Sequence, residues 1–233
     1  SEESKVFRDL SLEIKSNSLV GIVGKTGVGK STLIKLLLRL YNIDSGQIKI
    51  GSNNINSIAL QSLRRNIGLV SQETFLFDGT ISDNISYPIL DTHIDKIKRA
   101  AELSQCDEFI DRFPEGYNTV IGERGQRLSV GQKQRISIAR AILKDPSILI
   151  FDEATSSVDN RTENLIQKSL KDISKDRTTI AIAHRLSTIR NADLILVLDD
   201  GQIIESGTHD ELVESNGNYK YLWDLQTGQL DRD

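Results

Sequence analysis

Methionine is absent from this 233-residue chain, cysteine occurs once, proline three times, and aromatic side chains make up only 5% of positions. The single thiol, Cys106, excludes an internal disulfide and fits a reducing compartment; packing inside a helical region is its expected use. No apolar run approaches the roughly eighteen residues of a membrane span, and no secretory signal is visible. Any membrane part of the function is therefore expected elsewhere. Neither sign of charge dominates: the formal net charge is −4 and the pI about 5.5, which argues against a surface that coats nucleic acid. No internal repeat, linker or low-complexity tract appears. A chain without methionine that starts at Ser1 reads as part of a longer polypeptide. Its length and its 38% hydrophobic, 27% charged composition suit one large α/β domain with a subdomain.

What is present is concentrated first between residues 18 and 40. Leu19-Val20-Gly21-Ile22-Val23 is a short apolar, β-branched run that reads as a buried parallel strand. Gly24-Lys25-Thr26-Gly27-Val28-Gly29-Lys30-Ser31 follows. Its three glycines allow the backbone to curl with N–H groups pointing inward, a nest for phosphate oxygens. Lys30 adds a charge for the β- and γ-phosphates, and the Ser31 hydroxyl is placed for Mg²⁺. From Thr32 to Leu40 the pattern is helical, so a helix dipole adds to the anion site. Strand, glycine loop and helix in this order make a P-loop.

Elsewhere, residues 6–14 alternate apolar and polar positions through Leu10, Leu12 and Ile14, as a half-buried strand does. Edge-strand and strand patterns follow at 47–51 and 67–70, the latter ending at Ser71-Gln72. From Asp91 to Leu143 the period becomes helical, with interruptions at Pro114 and, beyond it, at Asp145-Pro146. Strand patterns return at 147–151, 178–183, 194–198 and 202–205. The expected fold class is α/β: a mainly parallel sheet with an antiparallel β part and a helical subdomain. Residues 1–85 and 144–233 would form the catalytic core and 86–143 the helical subdomain.

The strand at 147–151 runs into Asp152-Glu153, and a parallel strand delivers its last residues to the sheet edge where open α/β folds bind ligands. Asp152 can hold Mg²⁺, directly or through water, and Glu153 can orient and deprotonate a water that attacks the γ-phosphate. Taken alone, two acids ending a strand are as often a solvated terminus. Ser129 is a plausible N-cap for a helix whose inner face carries Ile136, Ala139 and Leu143.

Leu128-Ser129-Val130-Gly131-Gln132 resembles the signature of ATP-binding-cassette (ABC) ATPases, usually Leu-Ser-Gly-Gly-Gln. With the P-loop and Asp152-Glu153 in order, the resemblance spans residues 6–222 of a P-loop NTPase fold. It implies ATP as ligand with Mg²⁺, and contacts to both from the loop residues Gly24 to Thr32. It also implies that Gln72 senses Mg²⁺ and the attacking water, that Asp159 belongs to a loop crossing a dimer interface, and that His184 is the switch histidine on the γ-phosphate. His93 and His209 have no counterpart and are expected at the surface. The partner implied is a second copy or a homologous cassette, head to tail, so that Ser129, Val130, Gly131 and Gln132 of one chain face the ATP of the other. Val130 stands where the family has glycine. The stretches 119–125, 72–85 and 183–188 are similar to exporter sequences. They imply a transmembrane domain as partner, membrane helices ahead of Ser1, and a place at the cytoplasmic face of the membrane. In exporters an aromatic stacks on adenine from a loop that would fall just before Ser1; Phe7, the one aromatic upstream of Gly24, matches an apolar packing position better. Open alternatives are an importer ATPase subunit, a soluble repair or ribosome-associated ATPase, and a cassette that only clamps ATP.

Overall fold

The computed structural model describes residues 6–89, 91–153 and 160–229. Six strands form one sheet: β1 (Leu19–Gly24), β4 (Ile67–Val70), β5 (Ile148–Asp152), β6 (Thr178–Ile182), β7 (Leu194–Asp199) and β8 (Gln202–Gly207). Their order across the sheet is β4-β5-β6-β1-β7-β8, and every pairing is parallel except β7 with β8. A separate antiparallel pair joins β2 (Lys49–Ile50) to β3 (Asn53–Asn54). The family fold expected from the motifs is therefore present.

Strand periodicity explains the core. In β1, Val20 and Ile22 join one apolar cluster while Val23 joins the other; in β7, Leu196 and Leu198 point one way, Ile195 and Val197 the other. Residues two apart share a face, so a sheet buried on both sides must be apolar throughout. One face is covered by α1 (Lys30–Leu37) through Ile34 and by α2 (Leu60–Arg65) through Leu63. On the other lie α6 (Val130–Leu143), α7 (Asn160–Ile173), α8 (His209–Glu214) and α9 (Asn218–Thr227), contributing Ile136, Ile166, Leu212 and Tyr219. The helical stretch comprises α3 (Ile81–Ser86), α4 (Ile94–Leu103), α5 (Asp107–Ile110) and α6, with α3 and α4 both packed against α6.

Three expectations need correction. Residues 6–14 form no strand: Leu10, Leu12 and Ile14 do pack on the core as the alternation implies, but the segment lies in no ladder. Its alternation records burial on one side, which loops can share with strands. A helix not anticipated, α3, starts at a capping box in which Thr80 Oγ1 accepts from Asp83 N and Asp83 Oδ2 from Thr80 N. His209 is buried, with Nδ1 2.9 Å from the Tyr219 hydroxyl and its ring edge-on to Trp223. His93 is exposed, as expected. Cys106 is fully buried, and burial pushes its thiol up to about 12, the behaviour of a packing residue.

Candidate functional site

Because β4, β5, β6 and β1 are adjacent and parallel, their carboxyl ends lie side by side on one edge. Each end delivers one of the marked segments: Gln72 after β4, Asp152-Glu153 at β5, His184 after β6 and the glycine loop after β1. Thr26, Gly27, Gly29, Lys30, Ser31, Thr32, Gln72, Glu153 and His184 line a single cavity of about 280 Å³. That is several times the ~30 Å³ a water molecule occupies, so the space suits more than one ion. Residues far apart in sequence thus meet in one place.

The glycine loop turns between β1 and α1. Gly29 precedes α1 at φ 108°, a conformation costly for any side-chain-bearing residue. Phe7 makes the position tighter: a Cβ on Gly29 would lie 3.0 Å from two of its ring atoms and 2.7 Å from Val6. Phe7 therefore backs the loop as a packing residue. Lys25, Thr26 and Gly27 are exposed, Gly24 and Val28 half-buried. Lys30 is buried, and its ammonium donates to Gly24 O at 2.7 Å and Lys25 O at 2.9 Å. Burial lowers its pKa below 10.5, while the carboxylates of Glu153 and Asp152 pull the other way.

On the facing side, Glu153 and His184 are paired, Nε2 to Oε1 at 2.6 Å. The Glu153 side chain is only 9% exposed. Its amide donates to Ile182 O at 3.0 Å, which fixes it against β6. Asp152, the last residue of β5 and not among those lining the cavity, has its pKa raised first by burial and then by the charge of Glu153. Its Oδ1 is buried and has no hydrogen-bond partner. An oxygen-only donor set of Asp152, the Ser31 hydroxyl and the Gln72 amide is the kind Mg²⁺ prefers, and the orphaned oxygen is what such a set would leave.

The signature residues lie apart from the cavity, at the start of α6. Ser129 Oγ accepts from Gln132 N at 3.3 Å and Gln132 Oε1 accepts from Ser129 N at 2.8 Å, a full capping box. Val130 is 56% exposed, and Gly131 is buried against Thr162 of α7. Asp159 falls outside the described residues.

Two groups of supporting residues escaped sequence reasoning. Gln134, buried in α6, accepts from Thr74 Oγ1 at 2.6 Å and donates to Ser71 O at 3.4 Å, which ties the Gln72 loop to the signature helix. Its position four residues before Ile138 marks it as inward-facing, the one available signal. The turn after His184 is held from α7, where Glu163 pairs with Arg185 and accepts from Ser187 Oγ at 2.9 Å.

Comparison with known proteins places this geometry. The profile described as ABC transporter matches residues 7–156. A fatty acid ABC transporter ATP-binding/permease protein of Mycobacterium bovis is 52% identical over 214 residues, 92% of this chain and 34% of that protein. ABC transporter B family member 16 of Arabidopsis thaliana is 50% identical over 224 residues, 96% of this chain and 18% of that protein. Among solved structures, a bacterial Atm1-family ABC exporter with ATP bound superposes with a TM-score of 0.92 at 43% identity, over 97% of this chain and 40% of that one. The chain thus spans well under half the length of these relatives.

Proposed function

The chain belongs to the ABC transporter family, whose ATP-binding domains are ATPases, and from that premise we propose that it is the ATP-hydrolysing domain of an exporter. One observation carries the reading: the ends of four neighbouring parallel strands bring Lys30, Gln72, Glu153 and His184 to one cavity, with Glu153 and His184 in contact at 2.6 Å. Gly24 to Thr32 cradle the triphosphate through backbone N–H groups, with Lys30 on the β- and γ-phosphates. Glu153 accepts the proton of a water whose oxygen forms a bond to the γ-phosphorus while the bond to the β–γ bridging oxygen breaks, giving ADP and inorganic phosphate. His184 orients Glu153 and donates to a γ-phosphate oxygen. Ser31, Gln72 and Asp152 hold Mg²⁺, which when bound neutralises charge on the phosphates.

The exposed start of α6, away from its own chain's cavity, supports a head-to-tail dimer in which Ser129, Val130, Gly131 and Gln132 complete the ATP site of the other cassette. Asp159 would lie at that interface. Residues 86–143 act as the helical subdomain, within which 119–125 face a transmembrane domain that places the chain at the cytoplasmic side of a membrane. Similarity to a bacterial Atm1-family ABC exporter favours this reading over the alternatives.

The test is twofold. Glu153→Gln should keep ATP binding and slow turnover by about 100-fold or more, so that ATP accumulates a dimer detectable by light scattering. Mixing Lys30→Ala chains with Ser129→Arg chains should restore hydrolysis that neither has alone, at one intact site per mixed dimer. Parental turnover in the first experiment removes Glu153 from its role; a mixture as inactive as its components at high concentration removes the sandwich.

A further inference from the structure

The C-terminal helix reaches back to the active-site edge. Gln226, in the last turn of α9, donates from Nε2 to the main-chain oxygen of His184 at 2.6 Å and accepts at Oε1 from the amide of Leu186 at 2.9 Å. One side-chain amide thus closes a ring across the turn that carries His184. The helix bearing it is anchored firmly at its other end: Glu205 of β8 accepts from the amides of Asn218 and Tyr219, and Tyr219 is fully buried with its hydroxyl 2.9 Å from His209. A second cavity of about 170 Å³ lies between this helix and the phosphate loop, lined by Lys25, Thr26, His184, Leu186, Leu222 and Gln226 among others. Open space there means that the His184 turn is not wedged in place by close packing on that side. On that side hydrogen bonds hold it, while Leu186 anchors the turn in the apolar core on the other.

We propose that Gln226 is a positioning residue for hydrolysis, which fixes the main chain at His184 and Leu186 so that the imidazole stays within reach of Glu153. Glu163 of α7 holds the same turn through Arg185 and Ser187, so the turn is gripped between two helices, and only the α9 grip touches the residue that carries the imidazole. This rests on the hydrolytic role given to Glu153 and His184 above. Breaking the grip leaves the phosphate loop intact, so the loss falls on kcat rather than on ATP binding.

The 233-residue chain itself serves for the test. Gln226→Leu removes both hydrogen bonds at similar volume, and Gln226→Glu keeps the acceptor for Leu186 while placing a carboxylate against the His184 oxygen. If each lost hydrogen bond is worth the usual amount, kcat should fall by at least about fivefold in Gln226→Glu and about thirtyfold in Gln226→Leu, with KM for ATP changed less than about twofold. The chain has three histidines, so the imidazole resonances of His184 are identified by one His184→Ala spectrum. They should shift and broaden in both Gln226 variants while those of His93 stay in place. Parental kcat with unmoved His184 resonances in either folded variant overturns the proposal. If Leu misfolds by circular dichroism, Glu decides alone. Failure of the underlying reading looks different: then Glu153→Gln itself retains turnover, whatever Gln226 does.

Discussion

Gly131, the single glycine of the stretch 128–132, is open to a quantitative test, because the structure gives it a reason that does not involve ATP. A Cβ built there would lie 2.5 Å from Thr162 Cγ2, 3.1 Å from Thr162 Oγ1 and 3.2 Å from Thr162 Cβ. Ordinary carbon–carbon contacts sit at about 3.5–4.0 Å, so Gly131→Ala must push α6 and α7 apart by about an ångström at their start. Overpacking of that size costs roughly 1–3 kcal/mol, against a gain of up to about 1 kcal/mol from replacing glycine by alanine in a helix. The net expectation is a loss of about 1 kcal/mol. Thr162→Ser removes the methyl that makes the closest contact and keeps the hydroxyl; by itself it costs about 1 kcal/mol for a buried methyl. In the double variant the alanine methyl fills the space the threonine methyl left. The total should then fall to about 0–1 kcal/mol, well below the sum of the single changes, a coupling of about 1–2 kcal/mol. Urea midpoints at constant slope measure all four states of the cycle. Additive effects, or an alanine variant as stable as the parent, would refute the steric account. Lost hydrolysis without lost stability would instead assign the glycine to close approach of a ligand.

The remaining predictions concern groups outside the cavity. His209 has its pKa lowered below 6.5, first by burial and then by Arg190, with Asp210 opposing; its unfolded form binds the proton more readily, so stability is full above about pH 6.5 and declines as pH falls toward the folded value. Melting temperatures across that window should drop in the parent and lose that part of the slope in His209→Gln. Arg140 donates to Asn84 O and Phe75 O, both at 2.8 Å, with its guanidinium over the rings of Phe77 and Tyr87. Arg140→Ala should destabilise by about 2–4 kcal/mol in urea titrations, since charged hydrogen bonds are lost around buried Asn84.

Legibility in the sequence tracked how local the cause was. The strands at 19–24, 67–70, 148–152, 178–182 and 194–199 are apolar because both faces of the sheet are covered, and their composition says so directly. Ser129 as an N-cap was equally local, its capping partner lying three residues on. The same local signal stands at Thr80 and Asp83, where a capping box starts the short helix α3. What could not be read was set by distant chain. His209 is buried by Tyr219 and Trp223, ten and fourteen residues later, and a six-residue helix carries no periodicity long enough to announce an inner face. Gln226 is exposed even in the fold, and only the placing of α9 beside the end of β6 brings it to His184. The site residues themselves were named from motifs, yet their convergence depends on the order β4-β5-β6-β1, which no local pattern encodes.

Glu153 shows how that order becomes chemistry. Its φ is 52°, a conformation that costs a residue with a side chain about 1 kcal/mol or more. Nothing in Phe151-Asp152-Glu153 favours it locally. The sheet imposes it: Asp152 is in register with Ile182, and the Glu153 amide makes one more bond to Ile182 O at 3.0 Å, so the chain stays on β6 for one residue past the strand and then turns. In a regular strand the direction of each side chain is fixed by simple alternation between the two faces. With positive φ the alternation breaks at the strand end. The carboxylate instead reaches His184, which follows β6, the strand to which β5 is bonded. The strain is thus offset by ladder bonds of the core, and it accompanies the placing of the proposed base against His184. The contact at 2.6 Å is a product of register, and a one-residue slip of β5 against β6 would turn Glu153 to the opposite face.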